Sequence, residues 1–325
     1  MKKLFENLEI NKSMIKKLEN YFLEELKSYP DSISIASTYL SKAGGKRLRP
    51  LILLLVSEVL GYKKNDRFHM AAVVEIIHMA SLIHDDVIDE APLRRGKVTL
   101  NKRLGNHLSI LIGDFLYAKA ISKTLEKKNI KMMNLLSNAT IKMIEGEIWA
   151  QKNLRNPSLT VNDYLDLVKN KTGYLFACSS SIPSLLSKKE NYFKNLFNFG
   201  LNFGIFFQIL DDTLDFVAKE EETGKPVLHD LEEGKINLPV ILLSDFLGKT
   251  EKRKLKFWIK HSKKYKKEIK YEVEKYKTHK KALLFAKEYS NKAIGFLKNL
   301  PEGRAKEYLI SIPEKLLKVN SFQNL

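Results

Sequence analysis

The sequence predicts an all-α protein, and three observations carry that expectation. Its 9 prolines and 15 glycines are few for 325 residues, and they cluster, so long intervals run without a breaker. Within those intervals apolar residues recur at the three- and four-residue spacing of a helix. No stretch alternates apolar and polar residues over the length of a strand.

The elements follow in order along the chain. Asn11–Leu26 has apolar residues at helical spacing. Pro50 opens the apolar run Leu51–Leu60 and Gly61 closes it, the arrangement expected at a helix start and stop. Asp66 to about Asp89 reads as one long apolar helix. Pro92–Gly105 is polar and punctuated, a loop or short helix. His107–Lys127, Ile130–Asn153, Val161–Asn170, Thr172–Leu186 and Tyr192–Ala218 read as further helices. Gly224–Gly234 reads as a charged loop. Pro239 starts another helix, and two or three more run to the C-terminus. The expectation is one domain over residues 1–325, with ten or more helices around an interior pocket. Its C-terminal part, 251–325, is a lysine-rich helical region.

Hydrophobic residues make up 44% of the chain, enough for a real core. The one cysteine, Cys178, excludes an intramolecular disulfide framework and a cysteine-based zinc site, and it suits a cytoplasmic setting. The first residues, Met1–Glu6, are charged and lack the apolar core of a signal peptide. The most apolar stretch, residues 71–83, is broken by Glu75 and His78, short of the roughly 18 apolar residues of a membrane span. Net charge is +18, and residues 251–300 alone hold 17 Lys and Arg against 5 Glu. That excess reads first as a solvated face of C-terminal helices. Attraction to an anionic membrane or to polyanionic substrates is the second reading. No helix-turn-helix, zinc-finger or RNA-binding signature accompanies it, so no nucleic-acid partner is expected.

The chemistry centres on two DDxxD motifs, Asp85-Asp86-Val87-Ile88-Asp89 and Asp211-Asp212-Thr213-Leu214-Asp215. On a helix, positions i and i+4 share a face, so Asp85 pairs with Asp89 and Asp211 with Asp215. Asp86 and Asp212 are turned about 100° away. Each motif follows an apolar run, Met79–Ile83 and Phe206–Leu210, a costly setting for uncompensated charge. Clustered carboxylates there repel one another unless a cation neutralises them. Hard oxygen donors favour Mg2+, with Mn2+ as a substitute, and Mg2+ prefers to share its shell with substrate phosphates. A single DDxxD is a weak signal; two in matching contexts are a strong one.

Basic residues complete the pattern. Gly44-Gly45-Lys46-Arg47-Leu48-Arg49-Pro50 places three cations before a helix N-terminus, a setting that favours phosphate. Arg94-Arg95-Gly96 follows the first acidic motif, and Lys171, Lys225 and Lys235 add further cations. Together they offer one metal-bridged and one purely cationic phosphate site.

On these motifs the chain resembles the trans-type polyprenyl diphosphate synthases, over about Lys42 to Ile241. The matching residues also include Asn101, Gly113-Asp114, Glu145-Gly146-Glu147, Thr172, Asp230 and Gly234. The resemblance implies the all-α isoprenoid-synthase bundle and head-to-tail addition of isopentenyl diphosphate to an allylic diphosphate. It implies Asp85, Asp89, Asp211 and Asp215 as ligands of two or three Mg2+ ions. Arg94, Lys171, Lys225 and Lys235 are implied for the allylic diphosphate, and Lys46, Arg49, His78 and Arg95 for isopentenyl diphosphate. Lys171, Thr172 and Gln208 are implied at the reacting centre. The implied proton acceptor is the released diphosphate, in keeping with the lack of a side-chain base in the motifs. A homodimer is implied, or a heterodimer with a small subunit, with helices around 107–150 at the interface. The resemblance also implies peripheral membrane contact, through which an apolar product is released.

Short-chain members of that family commonly place an aromatic residue five positions before the first aspartate. Here that residue is Ala80, beside Ser81 and one turn from Ile77. The small side chains imply a long product, about C30 to C40, of the kind used for quinone side chains. Two positions depart from the family pattern: Leu228 stands where glycine is expected, and Asn237 where threonine or serine is usual. The alternatives are a medium-chain farnesyl or geranylgeranyl synthase and the catalytic subunit of a two-component synthase. A terpene cyclase fits less well, because it has no use for the isopentenyl site or a second intact acidic motif.

Overall fold

The computed structural model describes residues 16–22, 24, 47–94, 96–217 and 228–319. Between Leu48 and Val319 these residues form fourteen α-helices and one two-stranded hairpin, the all-α class expected. The chain divides into two compact units. The first comprises Met1–Thr140, Ala177–Phe197 and Asn299–Ile312; the second comprises Ile141–Phe176, Asn198–Lys298 and Pro313–Leu325.

The first unit is organised around two apolar helices, α1 (Leu48–Val59) and α2 (Asp66–Ile88). Ile52, Leu53 and Val56 of α1 and Met70, Ala71 and Ile76 of α2 are fully buried. A helix apolar on nearly all sides is stable only inside a core. Accordingly α2 packs on α1 and on α4 (Asn106–Leu125). Helix α1 begins at Leu48, ahead of the expected start. Pro50 then falls in its first turn, where the missing N–H has no intrahelical role. The helix ends as Gly61 predicts: Gly61 adopts φ +70°, its N–H donates to Glu58 O, and Tyr62 N–H donates to Ser57 O at 2.8 Å, a Schellman pair. Between α2 and the short α3 (Leu100–Leu104) lies an antiparallel hairpin, β1 (Leu93–Arg94) and β2 (Lys97–Val98). The sequence predicted no strand; two-residue strands are too short to show alternation.

The second unit holds the C-terminal half of α5 (Ile130–Lys152), then α6 (Val161–Val168) and the greater part of α8 (Phe193–Val217). Helix α6 starts on a capping box in which Thr160 Oγ1 accepts from Asp163 N–H and Asp163 accepts from Thr160 N–H. The expected break near Asn170 is absent. Lys169–Gly173 forms a π-helical turn that leads directly into α7 (Tyr174–Leu186). Its packing depends on glycine: a Cβ on Gly204 of α8 would lie 2.6 Å from Gly173 Cα. Phe176, Phe199, Phe203 and Phe206 pack beyond this contact, with Phe176 edge-on to Phe203 at 5.2 Å.

The expected charged loop contains a helix, α9 (His229–Glu233). After α10 (Leu238–Ile241), which carries Pro239 in its first turn, four helices follow rather than two or three. These are α11 (Lys249–Lys260), α12 (Ser262–Lys275), α13 (Thr278–Gly295) and α14 (Arg304–Val319). The breaks after α11 and α12 fall at His261 and at Lys277, the latter left-handed at φ +55°. Neither break carries glycine or proline, so the pattern ran them together. Among the described residues no helix is long and apolar enough to cross a membrane.

A Gly204→Ala variant tests the glycine contact. Its methyl meets backbone that cannot rotate away, so denaturant unfolding is expected to show a loss of about 2 kcal/mol. Gly295→Ala, with nothing within 4 Å of the added carbon, is expected to be neutral or stabilising.

Candidate active site

In the first unit, the first acidic motif closes α2: Asp85 and Asp86 lie in its last turn and Asp89 is its C-cap. The backbone carbonyls there already give a helix C-terminus partial negative charge, so carboxylates at this end are electrostatically disfavoured without a cation. The three aspartates are used differently. Asp86 is 2% exposed; its Oδ1 accepts from Arg94 Nε at 2.6 Å, and Asn101 Nδ2 donates to its carbonyl at 3.0 Å. It therefore ties the end of α2 to β1 and α3. Asp85 and Asp89 are half-buried on a stripe of α2 that also carries His78 and Ser81. Ile77, one turn before Ser81, and Ala80 are buried. Beside the motif, the His84 ring lies against Gly113, where a Cβ would come within 2.2 Å of Nε2. His84 Nε2 lies 3.4 Å from Asp114. Burial, then the charges of Asp85 and Asp114, push the Tyr117 hydroxyl pKa upward.

Of the cations expected ahead of α1, Arg47 is left-handed at φ +42° and ion-paired to the buried Glu75. It anchors the approach to α1, while Arg49 lies half-buried in the first turn. Lys46, Arg95 and Lys225 lie outside the described residues.

In the second unit, the second motif lies in the last described turns of α8. Asp212 is held from two sides: Tyr164 donates to Oδ2 at 2.5 Å and Gln208 Nε2 to Oδ1 at 2.7 Å. The Gln208 carbonyl accepts in turn from Thr172 Oγ1 at 2.7 Å. A line of hydrogen bonds thus runs from the π-helical turn to the motif. Asp215 accepts from the His229 and Asp230 N–H groups at the start of α9, at 3.3 and 3.2 Å. Asn237 Nδ2 reaches Asp230 Oδ2 at 3.2 Å. Burial, then the charge of Asp230, raises Asp212 to about 8 and Asp215 to about 7 against donors that pull the other way. Asp211 is exposed.

Lys171 and Lys235 gather around one carboxylate of this unit. Lys171 Nζ is ion-paired to Glu147, whose other oxygen accepts from Gln151 at 3.0 Å. Burial pushes Glu147 upward, but Lys171, Gln151 and Lys235 together hold it below the ordinary value. Lys235 Nζ also lies 2.7 Å from Glu233. Burial would raise Glu233, yet His229 and Lys235 hold it at about 2. Gly146 admits the π-helical turn: a Cβ there would lie 3.0 Å from Lys171 N.

Leu228, at the position where glycine was expected, adopts φ +63°. That left-handed conformation costs a leucine about 1 kcal/mol. The side chain is 4% exposed, and its burial contributes about 2 kcal/mol, so packing outweighs strain. Tyr164, Glu147 and Asp230 meet Asp212, Lys171 and Asp215, partners 48, 24 and 15 positions away that sequence spacing could not assign. Only Glu147 and Asp230 fell within quoted motifs.

The different duties of Asp86 and Asp89 are separable by thermal unfolding. Asp86→Ala leaves Arg94, 21% exposed, without its carboxylate and is expected to cost about 2 kcal/mol. Asp89→Ala, at a half-buried C-cap, is expected to stay within about 0.5 kcal/mol of the parent.

The polyprenyl synthetase family matches residues 30–276. The chain is 37% identical over 223 residues to the octaprenyl diphosphate synthase of Escherichia coli K12, covering 67% of this chain and 68% of that one. It is 35% identical to heptaprenyl diphosphate synthase component 2 of Bacillus subtilis, covering 86% and 80%. Its fold matches a decaprenyl diphosphate synthase from Rhodobacter capsulatus with a TM-score of 0.89 and 29% identity, over 98% of this chain and 99% of that one. The chain belongs to the polyprenyl synthetase family.

Proposed function

We propose that this chain is a cytoplasmic Mg2+-dependent synthase that elongates an allylic diphosphate with isopentenyl diphosphate to a long all-trans product. The observation that carries the reading is the shared construction of the two acidic motifs. Each follows an apolar run on a helix, each ties its second aspartate to a side chain of another element, and each sets an i and i+4 aspartate pair on a different face. Two such carboxylate pairs suit divalent cations. Among the described residues no three His, Cys, Asp or Glu side chains gather into a protein-only metal cage, so bound ions would draw on water and substrate oxygens.

In this reading Asp85, Asp89, Asp211 and Asp215 hold the ions, which supply neutralisation of the diphosphate charge. Arg94, Lys171, Lys225 and Lys235 bind the allylic diphosphate and stabilise negative charge as the C–O bond breaks. Glu147 and Glu233 position Lys171 and Lys235. Lys46, Arg49, His78 and Arg95 hold isopentenyl diphosphate for attack on the cationic allylic carbon. Thr172 Oγ and the Gln208 carbonyl, joined by their hydrogen bond, present oxygen lone pairs toward developing positive charge. Proton loss to the departed diphosphate completes each addition. Ile77, Ala80 and Ser81 set how far the chain grows. Exposed Ile110, Leu111, Ile121 and Leu125 on α4 suit an apolar subunit interface, in a homodimer or with a second component, as the name of the Bacillus subtilis relative suggests.

The purified chain, given Mg2+, farnesyl diphosphate and isopentenyl diphosphate, is expected to yield long-chain prenyl diphosphates. Inactivity until a second subunit is added would identify a two-component enzyme. Ala80 has no solvent exposure, so Ala80→Phe is expected to shorten the product. Unchanged lengths in a folded, active variant would remove the ruler assignment.

The raised carboxylates predict a pH signature. The folded chain holds the Asp212 and Asp215 protons up to about 8 and 7, whereas the ordinary aspartate value is 3.8. Metal-free protein therefore loses stability as pH climbs through that interval. Mg2+ favours the ionised form, so the Tm increase it produces is expected to be larger at pH 8 than at pH 6. An equal increase at both would contradict this.

A further inference from the structure

Helices α11 and α12 pack together in the second unit and present an outward face of cations and aromatic rings. On α11, Leu255, Trp258 and Ile259 are buried. At about 100° per residue, Lys249, Arg253, Phe257 and Lys260 fall on the opposite side. On α12, Ile269 and Val273 are buried, and Lys264, Lys267 and Tyr271 face away. Phe257 is 50% and Tyr271 63% exposed. From Lys249 to Lys275 there are twelve Lys and Arg against four Glu. Lys266, Lys270 and Lys275 are paired with carboxylates. Among the described residues, Lys249, Arg253, Lys256, Lys260, Lys264 and Lys267 are not.

Those six cations repel one another on a folded surface, so the face is complementary to a dense negative charge. The rings narrow the kind of surface. Phe257 sits among Lys256, Lys260 and the His261 and Tyr265 rings, 4.8 and 5.5 Å away. Lys264 Nζ lies over Tyr265 at 5.2 Å and Lys254 Nζ over Trp258 at 4.7 Å. A half-exposed ring ringed by lysines, on a convex helical surface, matches a lipid headgroup layer. Rings enter the acyl boundary there, and lysine stems lie along it with their ammonium groups among the phosphates.

We propose that the outward face of α11 and α12, centred on Phe257, docks on an anionic membrane surface. It rests on the proposed function only for its purpose: a long prenyl chain leaves more readily into a bilayer than into water.

Co-sedimentation of the full chain with vesicles tests this directly. Binding is expected to vesicles of phosphatidylglycerol with phosphatidylcholine at about 0.1 M salt and to be lost near 1 M, where the screening length falls to about 3 Å. Phosphatidylcholine alone is expected to bind little. Each neutralised lysine is expected to weaken binding roughly fivefold, so the triple change Lys256→Gln, Lys260→Gln, Lys264→Gln lowers it by about 100-fold. Phe257→Ala lowers it further, with unfolding unchanged. Binding that ignores these variants, or that is equal on uncharged vesicles, overturns the proposal. So does a tighter, equally sensitive association with a homopolymeric RNA, which would assign the face to nucleic acid. Vesicle binding is read without turnover, so a chain that elongates but does not bind refutes this proposal alone, and one that binds but does not elongate refutes only the proposed function.

Discussion

Negative charge gathered on apolar helices is the constraint on which the rest of this structure depends. Asp85 and Asp89 at the end of α2 face carbonyl dipoles of their own sign, and Asp211 and Asp215 follow the apolar run Phe206–Leu210 of α8. Burial sharpens the conflict around Asp212, Asp215 and Asp230. The chain relieves part of it with neutral donors: Tyr164, Gln208, Asn237 and the N-terminal N–H groups of α9. Neutral donors stabilise a carboxylate without cancelling its charge. They leave that charge in place.

The same logic explains the acidic partners of the lysines. Lys171 and Lys235 are ion-paired to Glu147 and Glu233, which fixes long, flexible side chains whose ordering otherwise costs entropy on ligand binding. The geometry of Lys171 rests on backbone. It lies in a π-helical turn, admitted by Gly146 on one side. The adjoining Gly173 is admitted by Gly204. That turn also directs Thr172 at Gln208, so one local irregularity serves both the cationic and the neutral parts of the site.

The fold class, most helices and the acidic motifs were legible because they rest on local periodicity. The i, i+4 relation alone separates Asp85 and Asp89 from Asp86, and the buried Asp86–Arg94 pair bears that separation out. Short elements were not legible. The β1–β2 hairpin and α9 are too short to repeat a pattern, and the breaks at His261 and Lys277 carry no glycine or proline. The odd residue at 228 was visible as leucine, but its left-handed backbone was not. Nor could spacing show that its burial outweighs the strain.

By itself the sequence determined an all-helical chain, two DDxxD motifs and the basic residues near them in the sequence, because hydrophobic period and residue chemistry are written locally. Only the tertiary structure decided which aspartates serve the fold. It alone joined Tyr164 to Asp212 across 48 positions and set Glu147 against Lys171. Those choices depend on which helices pack together, and packing is decided by the burial of whole faces rather than by any one segment.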